Sequence, residues 1–273
     1  MPTSNPESNA RASRPPSRSH WQIMCDVVFA LIIRELKTRF GSNRLGYFWA
    51  LVEPMAQAGI MALMFSLIGR NSLSGIPVAM FMLVAILPFK LFSKLLPQLT
   101  AAIEANKGLL SYRQVTAMDP IISRVLIEVV TFVIVYCLLM AIMAWLGFDV
   151  LPADPLGLLA VSSLTVVMSV GLGLMLCSAV TYWKDTSKLV GMIMMPMMII
   201  SGVMFCATMI PPKYWYLFEW NPVFHITELS RAAYFSAYVT PIGDFQYLSL
   251  WAVASFSLGL MTFQINRQRF ITS

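Results

Sequence analysis

The side chains able to do chemistry fall in a few groups along this chain. Arg34, Lys37, Arg39 and Arg44 follow an apolar run over 27–33 and lead into Tyr47, Phe48 and Trp49. A guanidinium grips phosphate or carboxylate with a planar fork of donors. Arg34, Arg39 and Arg44, with Trp49, therefore make a candidate doorway for an anionic substrate or a lipid headgroup. Ordinary anchoring by basic residues and an aromatic belt is the alternative. A second group lies in 208–244, where nine aromatics fall between Tyr214 and Tyr238. Tyr214, Trp215 and Trp220 there could line an outer gate, offering ring faces to passing sugars, or serve only as an interface belt. Glu228 and Arg231 are three apart and are expected to pair. His225 reads as structural, because no Ser or Asp stands at a spacing that suggests a triad.

Other reactive residue types carry less. Cys25, Cys137, Cys177 and Cys206 form no CxxC pair and read as small buried hydrophobes, with no metal site. Met192, Met194, Met195, Met197 and Met198 surround Pro196 and read as soft packing around a kink. Ser169, Gly173 and Cys177 follow a small-xxx-small pattern that allows close helix packing.

The elements that must hold these residues are helices in a bilayer. Of the 273 residues 58% are hydrophobic and only 12% charged, against about 25% charged in a soluble domain. Runs long enough to cross about 30 Å of hydrocarbon fall at 51–69, 76–96, 121–146, 157–180, 189–210 and 245–264. Lipid offers the backbone no hydrogen-bond partner, so such runs must be helical. The expectation is an all-α integral membrane protein with six transmembrane helices. An interfacial helix precedes them, and two short re-entrant helices, begun by Pro211-Pro212 and Asn221-Pro222, join spans five and six. Residues 1–20 read as a disordered tail and 21–273 as one transmembrane domain.

Charge sets the orientation. Sixteen of the 19 lysines and arginines fall on one side of a six-span layout, and Arg70, Lys213 and Arg231 on the other. The positive-inside rule then puts both termini in the cytoplasm. The net charge of +6 is accounted for by these basic loops and does not call for nucleic acid.

No energy source is encoded. Glu53, Lys90, Lys94, Arg124 and Glu128 fall toward the basic side, where they can snorkel or pair, with Arg124 and Glu128 four apart on one helix. Ion-coupled carriers usually keep ionisable groups or broken helices at mid-depth, and no carboxylate stands there. Nor is there a GxxxxGK[ST] loop for nucleotide phosphates. A passive channel, a membrane enzyme and a subunit driven by a separate ATPase remain open. The polar stretch 97–120, with a short helix ended by Asn106 to Gly108, is either a connector or a docking surface for a soluble partner.

Three blocks resemble a known family: RELKTRFGSNRLGYFWALVEP (34–54), IEANKGLLSYRQV (103–115) and WNPVFHITELSR (220–231). In order and spacing they are similar to the KpsM-type permease subunits of ABC exporters for capsular polysaccharide, over nearly the whole chain after the tail. The resemblance implies a homodimer in the bacterial inner membrane with two copies of a soluble, KpsT-type ATPase. That ATPase, not this chain, would bind Mg-ATP, so no cofactor and no catalytic residue are expected here. A KpsE-type periplasmic co-polymerase or adaptor and an outer-membrane exporter would continue the route of a lipid-linked polysaccharide. By position, Glu104, Asn106, Lys107, Tyr112 and Arg113 fall in the ATPase-coupling loop. Tyr214, Trp215, Trp220, Glu228 and Arg231 fall at the periplasmic gate. Export of O-antigen or teichoic acid by the same architecture, and an intramembrane enzyme acting on polyprenyl-linked lipid, are the alternatives.

Overall fold

The computed structural model describes residues 20–40, 46–69, 72–73, 75–110, 112 and 115–272. The expected tail up to residue 19 lies outside them, as do Arg44, Arg113 and the Arg39 side chain. Apolar helices dominate: α1 (His20–Phe40), α2 (Gly46–Leu67), α3 (Val78–Thr100), α4 (Ala102–Ala105), α5 (Asp119–Trp145), α6 (Pro155–Val180), α7 (Thr186–Ile200), α8 (Pro222–Tyr234), α9 (Phe245–Asn266) and α10 (Arg269–Thr272). One small feature was not foreseen. Ser72–Leu73 and Ile76–Pro77 form an antiparallel pair, Ser72 opposite Pro77 and Leu73 opposite Ile76.

Local signals set the ends. Asp154 caps α6 by accepting the Gly157 N–H at 2.9 Å, with Pro155 as the first helical residue. Asp244 caps α9 by accepting the Gln246 N–H at 2.8 Å. Gly147 follows α5 at φ 87° and Gly202 follows α7 at φ 68°, a conformation that costs side-chain-bearing residues and stops a helix.

α3 is the central post. It is buried along almost its whole length and packs against α2, α5, α6, α7 and α8. α6 and α9 form the other closest pair. A Cβ at Gly171 would sit 2.4 Å from the α9 backbone at Ser255 and Phe256, and one at Gly259 2.3 Å from the Gly171 carbonyl oxygen. Two backbones touching at glycine is the close packing small residues permit in membranes. The stripe singled out from the sequence packs elsewhere: a Cβ at Gly173 would meet the Leu99 side chain of α3 at 2.6 Å. α5 instead leaves Leu126, Val130, Val133, Ile134 and Leu138 exposed, as a lipid-facing stripe must.

Among the described residues four helices, α3, α5, α6 and α9, are long and apolar enough to cross a membrane. By the same measure Val52–Leu67 of α2 and the whole of α7 are shorter. α7 departs most from expectation. Its 15 residues reach about 22 Å at 1.5 Å per residue, short of a bilayer core of about 30 Å. The expected span 189–210 is therefore helical only to Ile200, because Gly202 turns the chain and 201–210 continues largely irregularly. The cysteines divide too. Cys177 and Cys206 are buried, whereas Cys25 and Cys137 are exposed on α1 and α5.

Candidate functional site

The aromatic segment forms two short helices, the first a 3₁₀ turn and the second an α-helix. Pro212–Leu217 is the 3₁₀ turn, and α8 follows from the Asn221 cap. Irregular backbone at membrane depth survives only where protein satisfies it. α8 does this for the chain leaving α7. Asn221 lends its Nδ2 to the Ser201 hydroxyl at 3.3 Å, while its Oδ1 caps α8 through the Val223 N–H at 3.0 Å. The Thr227 hydroxyl donates to the Ser201 carbonyl at 2.7 Å. Arg231 donates to the carbonyls of Val203 at 3.1 Å and Phe205 at 2.9 Å. Glu228 accepts the Ala207 N–H at 3.3 Å. Four side chains from one face of α8 thus replace the hydrogen bonds a continuous helix would have made.

The expected Glu228–Arg231 pair forms at 3.0 Å with both side chains 0% exposed. A charge buried this deeply is tolerable only when paired and fully hydrogen-bonded. Glu228 is: its second oxygen accepts from Tyr238 at 2.7 Å and Thr240 at 2.9 Å. The Arg231 guanidinium lies 4.5 Å from the centre of the Phe81 ring on α3. Such burial makes these two residues the fastening of the segment and keeps them off any passage surface. Tyr214 and Trp220 are exposed, whereas Trp215 is half-buried and donates its indole N–H to the Ile210 carbonyl at 3.0 Å.

His225 bridges the segment to α9. Its Nδ1 accepts the Asp244 N–H at 3.0 Å, so Nε2 carries the proton and donates to the Glu219 carbonyl at 2.8 Å. Burial holds the imidazole below its ordinary value. Its ring packs at a tilt against that of Tyr247, whose hydroxyl donates to the Trp220 carbonyl at 2.8 Å. This is the structural histidine expected.

At the opposite, basic face, α1 lies against α5, with Val28 and Leu31 buried and Trp21, Phe29 and Ile33 exposed. Arg34 and Lys37 are exposed, as is Trp49 at the start of α2. The Arg124 side chain reaches beyond the Glu128 of its own helix. It approaches Glu35 of α1 at 3.3 Å and donates to the Gln98 carbonyl of α3, tying three helices together. In the polar connector, Glu104, Lys107 and Tyr112 are exposed. Asn106 is not: it is buried, and its amide donates to the Ala102 carbonyl at 2.8 Å, closing α4. Its place is inside the loop, not on a docking surface.

Sequence reading missed what the α8 polar residues hold. Asn221, Thr227, Glu228 and Arg231 lie six, one and three residues apart in succession from the cap of α8 onward, which does mark one face, but their partners sit about twenty or more residues upstream in 200–207.

These features define a multi-pass helical membrane protein, with a broken helix sealed by polar side chains at one face and basic elements at the other. The chain belongs to the ABC-2 type transporter family, whose pattern matches residues 26–235. It is 34% identical to the polysialic acid transport protein KpsM of Escherichia coli, over 94% of this chain and all of KpsM. It is 30% identical to the capsule polysaccharide export inner-membrane protein CtrC of Neisseria meningitidis, over 86% of this chain and 88% of CtrC. With BexB of Haemophilus influenzae, a protein of the same description, it shares 28% over 86% of this chain and 89% of BexB.

Proposed function

We propose that this chain is the transmembrane permease subunit of an ATP-driven exporter that carries lipid-linked, anionic capsular polysaccharide across the inner membrane. The observation that supports it most is the end-to-end similarity to KpsM. The three sequence blocks fall on three working parts: α1 with the start of α2, the loop around α4, and α8 with its sealed segment.

The chain works as a transport subunit, not an enzyme, and ATP hydrolysis belongs to a separate ABC ATPase. In the full reading, two copies of the chain pair about a two-fold axis over two KpsT-type ATPases. Both termini are cytoplasmic, and α2 and α7 complete six spans. The 3₁₀ turn and α8 re-enter the outer leaflet, and a KpsE-type adaptor and an outer-membrane exporter continue the route. Arg34, Arg39 and Arg44 draw the anionic end of the substrate toward Trp49. Glu104, Lys107, Tyr112 and Arg113 face the ATPase, so its closure reaches α3 and α5 through the α4 loop. Tyr214, Trp215 and Trp220 line the exit, on a segment that the Glu228–Arg231 pair keeps in shape.

The test replaces the chromosomal copy with an Arg34→Ala, Arg39→Ala, Arg44→Ala variant. Surface polysaccharide should fall several-fold and accumulate inside the cell, with membrane insertion and ATPase co-purification unchanged. Undiminished surface polysaccharide on complete loss of the chain would refute the export function itself. Undiminished polysaccharide in the triple variant alone would refute only the doorway.

A further inference from the structure

The outer connections enclose a cavity that lies apart from the residues assigned to the doorway and the exit. Its volume is about 470 Å³, and it sits among three stretches: 75–80 at the start of α3, 147–153 between α5 and α6, and 234–237 at the end of α8. Hydrogen bonds hold two of these walls together. The Ala153 N–H donates to the Tyr234 carbonyl at 3.0 Å and the Asp154 N–H to the Ala233 carbonyl at 2.8 Å, while the Tyr234 hydroxyl donates to the Val150 carbonyl. Phe235 stacks on Phe81 of the central post, with ring centres 6.1 Å apart. The cavity is therefore built into the fold, and its volume falls within the range of ligand sites, about 300–1,000 Å³.

Its lining favours one sign of charge. Among the described residues Asp149 is the only charged one on the wall, beside the rings of Phe148, Tyr234 and Phe235 and the thioether of Met80. Its carboxylate is exposed, has no ion pair among the described residues and accepts a long hydrogen bond, 3.4 Å, from the Leu151 N–H. The outer side as a whole leans the same way. Segments 68–78, 146–155 and 201–245 carry five carboxylates against three basic groups, Arg70 included. α5 and α8 both end at the cavity edge, and a helix C-terminus favours a cation.

These features select among occupants. The carboxylate repels an anionic cargo. A hard metal ion needs several oxygen ligands, and one carboxylate stands here. A lipid amine brings its phosphate with it, which the excess of negative charge opposes. A guanidinium fits: its planar fork matches a carboxylate, and its face stacks on aromatic rings. Leu151, 80% exposed at the rim, supplies the kind of apolar surround in which arginine anchors a protein interface.

We propose that this cavity receives an arginine side chain of the periplasmic adaptor, with Asp149 as its counter-charge. The site and its chemistry go beyond the function proposed above, but the side of the membrane and the identity of the partner rest on that reading.

The experiment introduces Ser236→Cys, at an exposed position on the cavity wall, into the full chain with Cys25, Cys137, Cys177 and Cys206 changed to serine. Labelling of this thiol by a neutral maleimide is timed in detergent with N-acetylargininamide. A parallel run uses N-acetylcitrullinamide, which has nearly the same shape and no charge, at the same concentration and ionic strength. The arginine compound should slow labelling several-fold more than the citrulline compound. Asp149→Asn should erase that difference with the melting temperature unchanged, because the carboxylate is exposed, and Asp149→Glu should keep it. Equal slowing by the two compounds, or a difference that survives Asp149→Asn, would overturn the site. In native membranes the same thiol should be shielded while the adaptor is present and label several-fold faster once the adaptor gene is deleted. Equal labelling in those two membranes would overturn the adaptor as the source of the arginine. Slowing by phosphatidylethanolamine in detergent, if Asp149→Asn abolishes it, would overturn a protein side chain as the ligand in favour of a lipid amine. The detergent readout is independent of polysaccharide export, so its failure would leave the transport reading standing.

Discussion

Removing Arg231 tests whether α8 holds the unwound chain. Arg231→Met keeps much of the side-chain length and deletes the guanidinium. Glu228 then keeps the Tyr238, Thr240 and Ala207 donors but loses its counter-charge at 0% exposure. Leaving one member of a buried ion pair alone costs about 3–5 kcal/mol. The Val203 and Phe205 carbonyls lose their donor as well, at about 1–3 kcal/mol for each buried group left unsatisfied. These terms overlap, so the ion-pair figure alone is the working lower bound. At about 2–4 °C per kcal/mol for a chain somewhat shorter than this one, the melting temperature in detergent should fall by roughly 10 °C. A second readout lies within the segment. Cys206 is 1% exposed, so in a variant with the other three cysteines changed to serine it should resist maleimide, and Arg231→Met should expose it. The double variant Glu228→Gln, Arg231→Met removes both charges and should recover more than half of the lost stability. If Arg231→Met melts with the parent and leaves Cys206 protected, or if the double variant is no better than the single, the fastening role is wrong.

Three further outcomes follow from geometry. Gly202→Ala should destabilise by more than the roughly 1–2 kcal/mol of a left-handed backbone, because its Cβ would meet Phe224 at 2.6 Å; thermal melting checks this. Gly171→Ala should force α6 from α9 and lower melting clearly, while Gly191→Ala, whose Cβ meets nothing within 4 Å, should not. His225 gives a pH signature. Its folded form is held neutral by burial, below an unfolded value of about 6.5, so the folded chain binds fewer protons. Stability should therefore be level above about pH 6.5 and decline as the pH falls below it. Melting curves across that range should show the decline, and His225→Gln should flatten this part of it.

Much of this protein follows from patterns within one stretch of chain. Long apolar runs and a dearth of charge dictate helices in a bilayer, and α3, α5, α6 and α9 fall close to where hydropathy puts them. Asp154-Pro155 and Asn221-Pro222 mark helix starts because capping is local chemistry. The Glu228–Arg231 pair is legible for the same reason, both partners standing on one helix turn.

Long-range partners are different. Hydropathy runs on past Ile200, so 201–210 looks like the rest of a span; the break comes from one glycine backbone and from side chains of α8 that take over its hydrogen bonds. Asn106 looks like a loop surface residue until its turn folds over it. Arg124 has an obvious neighbour four residues on, yet packing carries it to Glu35 and to the α3 carbonyl at Gln98. The closest glycine contact, Gly171 with Gly259, joins helices about ninety residues apart, with no shared period to reveal it. Local sequence sets which segments enter the membrane and where helices begin, because those energies come from solvent transfer and neighbouring backbone. Which buried charge meets which partner depends on packing among distant helices, and that pairing, together with the turn at Gly202, gives the expected fifth span a short helix with a sealed, irregular end.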